Sequence, residues 1–468
     1  MVLNQEKKNK KPFKHTASAK PPKGPALLNH EDKAGLEVRA TAAKLLAAVV
    51  DKKISLDGIL DPVHGNPAYK QLNDQDRALT RAILLSVLRH LPRVEAALAS
   101  LLESPLPQGA RPLHHVLCVA AGQILYLDIP SHAAVDLAVE QANRDPRNRR
   151  FAKLVNAVLR RLVREKEAVL QQIAQVSPVP DWYMERLSAG YGADSARGIA
   201  EAQLAPPPID LTTKGDPEPW AEALGARRLP TGSLRLPSFE GSVASLPGFD
   251  EGAWWVQDVA ASIPAKLFGD IKDKRIADLC AAPGGKTAQL IAAGAEVIAV
   301  EQSANRMARL RENLERLGLK ADLVQGDLFD FSPNTALDGV LLDAPCSSTG
   351  TTRRHPDVLW TKGPEDIAKL AALQAKMLRH AATLVKSGGL IVFSNCSLDP
   401  LEGEDLVADL LREDPTLERV PVDVALWPGL EQAITARGEF RTTPAMLLPS
   451  EGFSGGMDGF FACVLRRR

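Results

Sequence analysis

The stretch Asp278-Leu-Cys-Ala-Ala-Pro-Gly-Gly-Lys-Thr287 constrains this chain more than any other. Arg275-Ile-Ala-Asp-Leu279, at its start, is a β-branched and apolar run, the pattern of a buried strand. Thr287-Ala-Gln-Leu-Ile-Ala-Ala, at its end, has helical composition. Pro283, Gly284 and Gly285 therefore fall where a parallel strand hands over to a helix, at the carboxyl edge of a sheet. Ligands bind along that edge in open α/β sheets, because backbone amides and a helix N-terminus converge there. An ordinary strand-to-helix turn would use the same residues, so the rest of the chain must decide. The stretch itself argues against a nucleoside triphosphatase. It misses the phosphate-cradle pattern G-x-x-x-x-G-K-[ST] at its first position. Cys280 puts a side chain where glycine is needed, and Pro283 lacks an N–H.

Beyond residue 275 strands and helices alternate. Strands are predicted over 275–279, 296–300, 321–325, 339–343 and 390–394, and helices over 305–317 and 364–385. That order predicts a doubly wound, Rossmann-like α/β domain over 271–468, closed by an antiparallel strand at 460–465. Residues 35–172 carry helical periodicity throughout. Val38, Ala42, Leu45, Leu46 and Val49 share one face, and so do Leu79, Ile83, Leu84, Val87 and Leu88. This predicts an all-α domain. Residues 173–270, opened by Pro178 and Pro180, mix two short helices with short strands near 209–212 and 233–236, an α+β adaptor. An amphipathic helix is expected within 254–268. Residues 1–34 form a basic tail with seven lysines against one glutamate before residue 30, and no apolar period.

The chain has 468 residues, length for about three domains, and its 57 basic and 57 acidic side chains cancel. Whole-chain charge is therefore silent about nucleic acid, whereas local charge is not. Arg144, Arg147, Arg149, Arg150, Lys153, Arg160, Arg161 and Arg164 crowd one loop and the helix after it, a density suited to phosphate contacts. The five cysteines are scattered and odd in number, which argues for a reducing, cytoplasmic setting. No apolar run approaches the roughly 20 residues of a membrane helix. His114, His115 and Cys118 are spaced as a satisfied helix face, so no metal is expected. A monomer is the default.

Glu301 follows the second predicted strand and Asp327 the third. Carboxylates there can accept from ribose hydroxyls and an adenine amino group. Together with the Pro-Gly-Gly loop they predict a ligand containing adenosine. Asp343-Ala-Pro-Cys346 closes one later strand and Asn395-Cys396-Ser397 the next, which delivers two thiols to the same edge.

These motifs, with Cys346-Ser-Ser-Thr-Gly350, resemble those of S-adenosylmethionine-dependent RNA cytosine-5 methyltransferases. The helical region, with Val155-Asn-Ala-Val-Leu-Arg-Arg161, resembles the NusB-like domain of the bacterial RsmB (Sun/Fmu) branch, which methylates small-subunit 16S ribosomal RNA. The resemblance implies that Cys280, Ala281, Ala282, Pro283, Gly284, Gly285 and Lys286 hold the methionine end of the cofactor. It also implies Glu301 for the ribose, Asp327 for the adenine, and Asp343 at the reaction centre, donating to the pyrimidine ring at N3. Cytosine C5 is a poor nucleophile, so a thiolate must first add to C6. The resemblance casts Cys396 in that role and Cys346 as the residue that helps release. The DNA enzymes use the Pro-Cys cysteine as nucleophile, which would cast Cys346 instead. The chain departs from the family at Asn395, usually threonine, and at Glu301, more often aspartate. Arg353-Arg-His-Pro356 is expected to clamp RNA phosphates. Transfer RNA or protein as substrate, and an RNA-binding module without catalysis, are the competing readings.

Overall fold

The computed structural model describes residues 33–61, 64–239 and 241–468. Residues 1–32, nearly all of the expected basic tail, lie outside that range. From Gly35 to Arg468 the chain is one compact unit.

The helical region forms as its periodicity requires. Helices Leu36–Val50, Asp74–Arg89, Leu91–Leu101, Arg111–Tyr126, Ser131–Arg144 and Ala152–Arg164 share one apolar core. Asn73 caps the second of these, its side chain accepting from Asp76 N at 2.8 Å. Helix Ala152–Arg164 shows why the pattern is stable. Val155, Val158, Leu159 and Leu162 are buried while Lys153, Arg160, Arg161 and Arg164 face solvent. Each buried aliphatic side chain contributes about 1.5–3 kcal/mol over the exposed state.

Helices Asp181–Tyr191 and Ala193–Ala202 follow, close to the expected positions. A small antiparallel sheet comes next, from β1 (Asp210–Thr213), β2 (Arg227–Arg228), β3 (Leu234–Arg235) and β4 (Trp254–Val256), in the order β2-β3-β1-β4. The amphipathic helix expected over 254–268 is a correction. Its first residues pair with β1 as β4, and only Ile263–Lys266 is helical. Leu211, Leu234, Leu236 and Trp254 make a small core of their own, and burying the tryptophan there outweighs helical propensity.

The large sheet contains β5 (Arg275–Leu279), β6 (Glu296–Glu301), β7 (Asp322–Gln325), β8 (Leu337–Asp343), β9 (Val385–Asn395), β10 (Leu417–Val420), β11 (Phe440–Thr442) and β12 (Phe460–Arg467). Its order is β10-β12-β9-β8-β5-β6-β7, with β11 also on β12. Strands β5 to β9 run parallel, and β12 pairs antiparallel with β9, as expected. The chain reverses its direction of winding at β5, whose neighbours are β6 and β8. The carboxyl ends beside that switch point are where an α/β sheet binds ligands.

The helical region is tied to the α/β region by polar contacts. Leu56 N donates to Asp357 at 2.8 Å, Trp360 Nε1 to Leu88 O at 3.1 Å, and Arg89 to Arg353 O at 2.7 Å. Among the described residues no helix is long and apolar enough to cross a membrane.

Candidate active site

The Pro-Gly-Gly loop turns sharply at the end of β5. Cys280 adopts φ +64° and Gly284 φ +104°. A Cβ on Gly284 would stand 2.5 Å from Leu310 Cδ1, so glycine lets the loop lie this close to helix Ala304–Leu317. Neighbouring elements hold the loop backbone. Ala281 N donates to Val300 O at 3.0 Å, Arg306 to Ala282 O at 2.7 Å, and Asn313 to Pro283 O at 2.8 Å. From the adaptor side, Gln257 bonds Gln289 at 2.8 Å on the helix Gly285–Ala292 that follows the loop. Burial, then the nearby Asp343 and Glu301 carboxylates, push the Cys280 thiol up to about 12, so it is an inert neutral group.

Acidic side chains surround the loop. Glu301 is buried at the end of β6, where Oε1 accepts from Ser303 N at 2.9 Å and Oε2 lies 3.4 Å from both Ala282 N and Arg306. Asp327 is half-buried beyond β7 and accepts from Phe329 N at 3.0 Å and Gln302 at 3.3 Å. Each carboxylate has about four acceptor sites, so capacity remains for a ligand's hydroxyl or amino donors. Phosphate would be repelled here, in keeping with the failed phosphate-cradle pattern. Asp278, within β5, was not among the expected site residues. Burial raises its carboxyl to about 7; Thr287 Oγ1 donates to one oxygen at 2.6 Å, and the other has no hydrogen-bond partner. Its signal lay in the sequence, as an acid set between the apolar Ile276, Ala277 and Leu279.

The ends of β8 and β9 bring the remaining expected residues together. Cys346 Sγ and Cys396 Sγ are 3.4 Å apart, and both side chains are half-buried. The hydrogen bond to Cys396, followed by burial, raises the Cys346 thiol well above the ordinary thiol range. Asp343 accepts from Lys286 Nζ at 2.7 Å and from Ser394 Oγ at 2.9 Å. Lys286 Nζ also lies over the Phe460 ring, 4.9 Å from its centre. The loop at the end of β5 is thus joined to the end of β8 by an ion pair that motif spacing had not indicated.

Beneath the thiols lies a buried polar cage of Ser347, Thr349, Gln374, Asn395, Ser397 and Glu402. Asn395, the departure from the family pattern, belongs to it. Its amide donates to Glu402 O at 2.7 Å and to Gln374 at 3.3 Å, and its oxygen accepts from Ser397 N at 3.0 Å.

The expected phosphate clamp at 353–356 is a correction. Arg353 is buried and donates to the carbonyls of Pro206 at 3.0 Å and Gly455 at 2.9 Å. Arg354 bridges Asp258 at 2.6 Å and Asp458 at 3.1 Å, which welds the adaptor to the catalytic sheet. Burial disfavours its charge, but the two carboxylates outweigh burial and hold the guanidinium above its ordinary range. The other basic cluster differs. Arg147, Arg149, Arg150, Lys153, Arg160, Arg161 and Arg164 are exposed. His115 bonds Asp51 at 2.7 Å and His114 bonds Glu95 at 3.0 Å, and the ligand atoms of Glu95, His114 and Cys118 all lie within 4.8 Å of one another. A cleft of about 640 Å³ in this region, lined by Lys44, Asp51, Arg111, His115 and Arg147 among others, draws no residue from the strand ends.

Residues 267–466 match the 16S rRNA methyltransferase RsmB/F family, and residues 36–164 the NusB family. Ribosomal RNA small subunit methyltransferase B of Klebsiella pneumoniae is 34% identical over 85% of this chain and 94% of that protein. Its namesake in Pasteurella multocida is 35% identical over 92% and 96%. Two crystal structures share the fold. PH0851 superposes with a TM-score of 0.68 at 21% identity, over 93% of this chain and 100% of that one. NSun6 from Pyrococcus horikoshii with SFG does so with a TM-score of 0.51 at 20% identity, over 62% and 98%. A helical NusB region joined to this catalytic sheet, matched by relatives along nearly their whole length, places the chain in the RsmB/F family of 16S rRNA methyltransferases.

Proposed function

We propose that this protein transfers a methyl group from S-adenosylmethionine to C5 of a cytosine in RNA, with 16S ribosomal RNA as substrate, through a covalent adduct of Cys396 with C6. One observation carries the reading: two thiols 3.4 Å apart at the ends of β8 and β9, beside the Lys286–Asp343 pair. Two sulfurs serve two steps, addition and release. The loop at 280–286, Glu301 and Asp327 would hold the cofactor. When bound, S-adenosylmethionine supplies the electrophilic methyl group that C5 receives.

The chain's own residues supply the rest. Cys396 forms the S–C6 bond as a thiolate, and the electron pair displaced from the C5–C6 bond gathers on the ring. Lys286 and Asp343 lie together where that charge must be met. Lys286 and Ser394 hold the Asp343 carboxyl at this edge, where, carrying a proton, it would donate to N3. After methylation C5 still holds its proton. A water molecule takes it as the C–H electron pair re-forms the C5–C6 double bond, and the S–C6 pair leaves on Cys396 as the thiolate. Cys346 is placed beside the departing sulfur to assist that release.

The target base must leave its stack to reach this edge, so single-stranded or loop RNA suits the site. The exposed face with Lys153 and Arg160 supports a role for the helical region in holding RNA backbone.

The test incubates Cys346→Ala and Cys396→Ala with RNA and cofactor and resolves them on a denaturing gel. Cys346→Ala should accumulate a protein–RNA band and Cys396→Ala should give none. The reverse pattern would make Cys346 the nucleophile. Labelled-methyl transfer to ribosomal RNA, assembled small subunits, transfer RNA and protein defines the substrate, and no 5-methylcytosine in any RNA would sink the proposal.

A further inference from the structure

The two cysteines are not held equally. Cys396 follows directly on β9, where Ala344 N donates to Ser394 O at 2.9 Å and Asn395 is in register with Phe461 of β12. Strand pairing on both sides fixes the residues directly before it. Cys346 lies three residues beyond the end of β8, on a loop with an exposed Pro345 before it and Ser348 at φ +60° after it. Gln374 Nε2 donates to Pro345 O at 3.0 Å on one side of Cys346, and a carboxylate anchors the other. Glu402, fully buried, accepts from Ser347 N at 2.9 Å through Oε1 and from Ser347 Oγ at 2.5 Å through Oε2.

The same carboxylate reaches the other loop. Glu402 Oε1 accepts from Gln374 Nε2 at 2.8 Å, Gln374 Oε1 accepts from Asn395 Nδ2 at 3.3 Å, and Glu402's own carbonyl accepts from Asn395 Nδ2 at 2.7 Å. Ser347 Oγ and Ser397 Oγ, which belong to the residues directly after the two cysteines, are 3.1 Å apart. Gly350 N donates to Cys396 O at 2.9 Å, and a Cβ on Gly350 would stand 2.0 Å from Gly459 O, so the loops meet backbone to backbone. A buried carboxylate with four protein hydrogen bonds on its side-chain oxygens and backbone has its acceptors committed to the fold rather than to a ligand.

We propose that Glu402 is a positioning residue that holds the Cys346 loop against Cys396 and thereby sets the rate of adduct release while leaving adduct formation intact. The inference rests on Cys396 as nucleophile and Cys346 as releasing residue. Asn395, in place of the family's threonine, is the second tether of the same clamp. Its amide spans from Gln374 to the Glu402 carbonyl, a reach with two donors that a hydroxyl does not have.

Glu402→Gln keeps the shape but puts an amide NH₂ where one acceptor oxygen stood, so the Cys346 loop loses an anchor while Cys396 keeps its strand. The variant should accumulate the protein–RNA band as Cys346→Ala does, with kcat down ~10-fold and KM for RNA within ~2-fold of the parent. Ser347→Ala, which removes a single hydroxyl, should move the same way by less. The double variant should be no worse than Glu402→Gln, since both act through one contact. Cofactor affinity and the circular dichroism spectrum report folding. Turnover of Glu402→Gln and Ser347→Ala at the parental rate overturns the proposal. So does loss of the band together with loss of turnover in a variant that still binds cofactor. Wild type and Cys346→Ala run alongside: if neither forms 5-methylcytosine or a band, the proposed function fails; if both behave as expected and Glu402→Gln resembles wild type, the clamp alone fails.

Discussion

Two arginine-rich stretches of this chain look alike in sequence and have opposite fates. Around Ala152–Arg164 the guanidinium groups and Lys153 face solvent, and Arg161 and Arg164 share only Glu165 at the end of their helix. At 353–354 the guanidinium groups are consumed internally, Arg353 by backbone carbonyls and Arg354 by Asp258 and Asp458. The first arrangement costs little and contributes little to stability, because water screens it. In the second the charges have left water, so each depends on its partner. Local density of positive charge therefore does not identify a surface for RNA. Whether acids from distant segments converge on it does.

The largest effect is expected at Arg354. Arg354→Ala leaves Asp258 and Asp458 buried without their cation and should cost ~3–5 kcal/mol in a urea unfolding curve. A variant of parental stability with weakened RNA binding would break the comparison, since it would return Arg354 to the phosphate clamp that its sequence position suggested.

Asp278 sharpens the same point from the acidic side, as a buried carboxyl whose side-chain hydrogen bond comes from the Thr287 hydroxyl rather than from a cation. Its folded-state value near 7 lies above the ordinary 3.8, so the folded chain holds this proton more tightly than the unfolded chain. The associated stability is complete below about pH 4, fades as pH rises toward 7, and is absent above that. Asp278→Asn removes the dependence. It should be more stable than the parent by on the order of 2–4 kcal/mol at pH 8, with the gap closing toward pH 4. Paired thermal melts across that range check the sign, and a gap of constant size would show that the proton at Asp278 is not its source.

The smallest effect on stability is expected on the exposed face. Lys153→Ala with Arg160→Ala should leave stability within ~0.5 kcal/mol. The salt dependence of RNA binding should flatten by about two units of slope if both groups meet phosphate. An unchanged slope would move the RNA footprint elsewhere.

Strands β5 and β6 were legible because a strand buried on both faces is a continuous apolar run. The expected bounds of β5 match the structure residue for residue and those of β6 to within one, and the part-exposed edge strand β7 also lies within one residue of its expected bounds. Strands β10 and β11 had no such signature. Leu417-Glu-Arg-Val420 carries two charges at a sheet edge, and Phe440-Arg-Thr442 has only three residues. Trp254–Val256 became a strand because β1 offered it an edge, which its own composition does not encode. At the site, the residue types were readable and their contacts were not. Asn395 stood out as a departure without a purpose, and Glu402 did not stand out at all. Their roles arise from bonds to Ser347 and Gln374, which other elements deliver.

By itself the sequence determined the order of the helical region's main helices and of the parallel strands, the glycine-bearing loop after β5, the acids at two strand ends, and two thiols near the ends of β8 and β9. Those features depend on neighbours within a few residues, where backbone sterics and hydrophobic period act. The tertiary structure decided that the thiols meet at 3.4 Å across 50 residues of chain, that Lys286 closes on Asp343, and that Arg354 is buried between two acids. Such contacts follow from strand order and register, which are set by the packing of the whole sheet rather than by any segment alone.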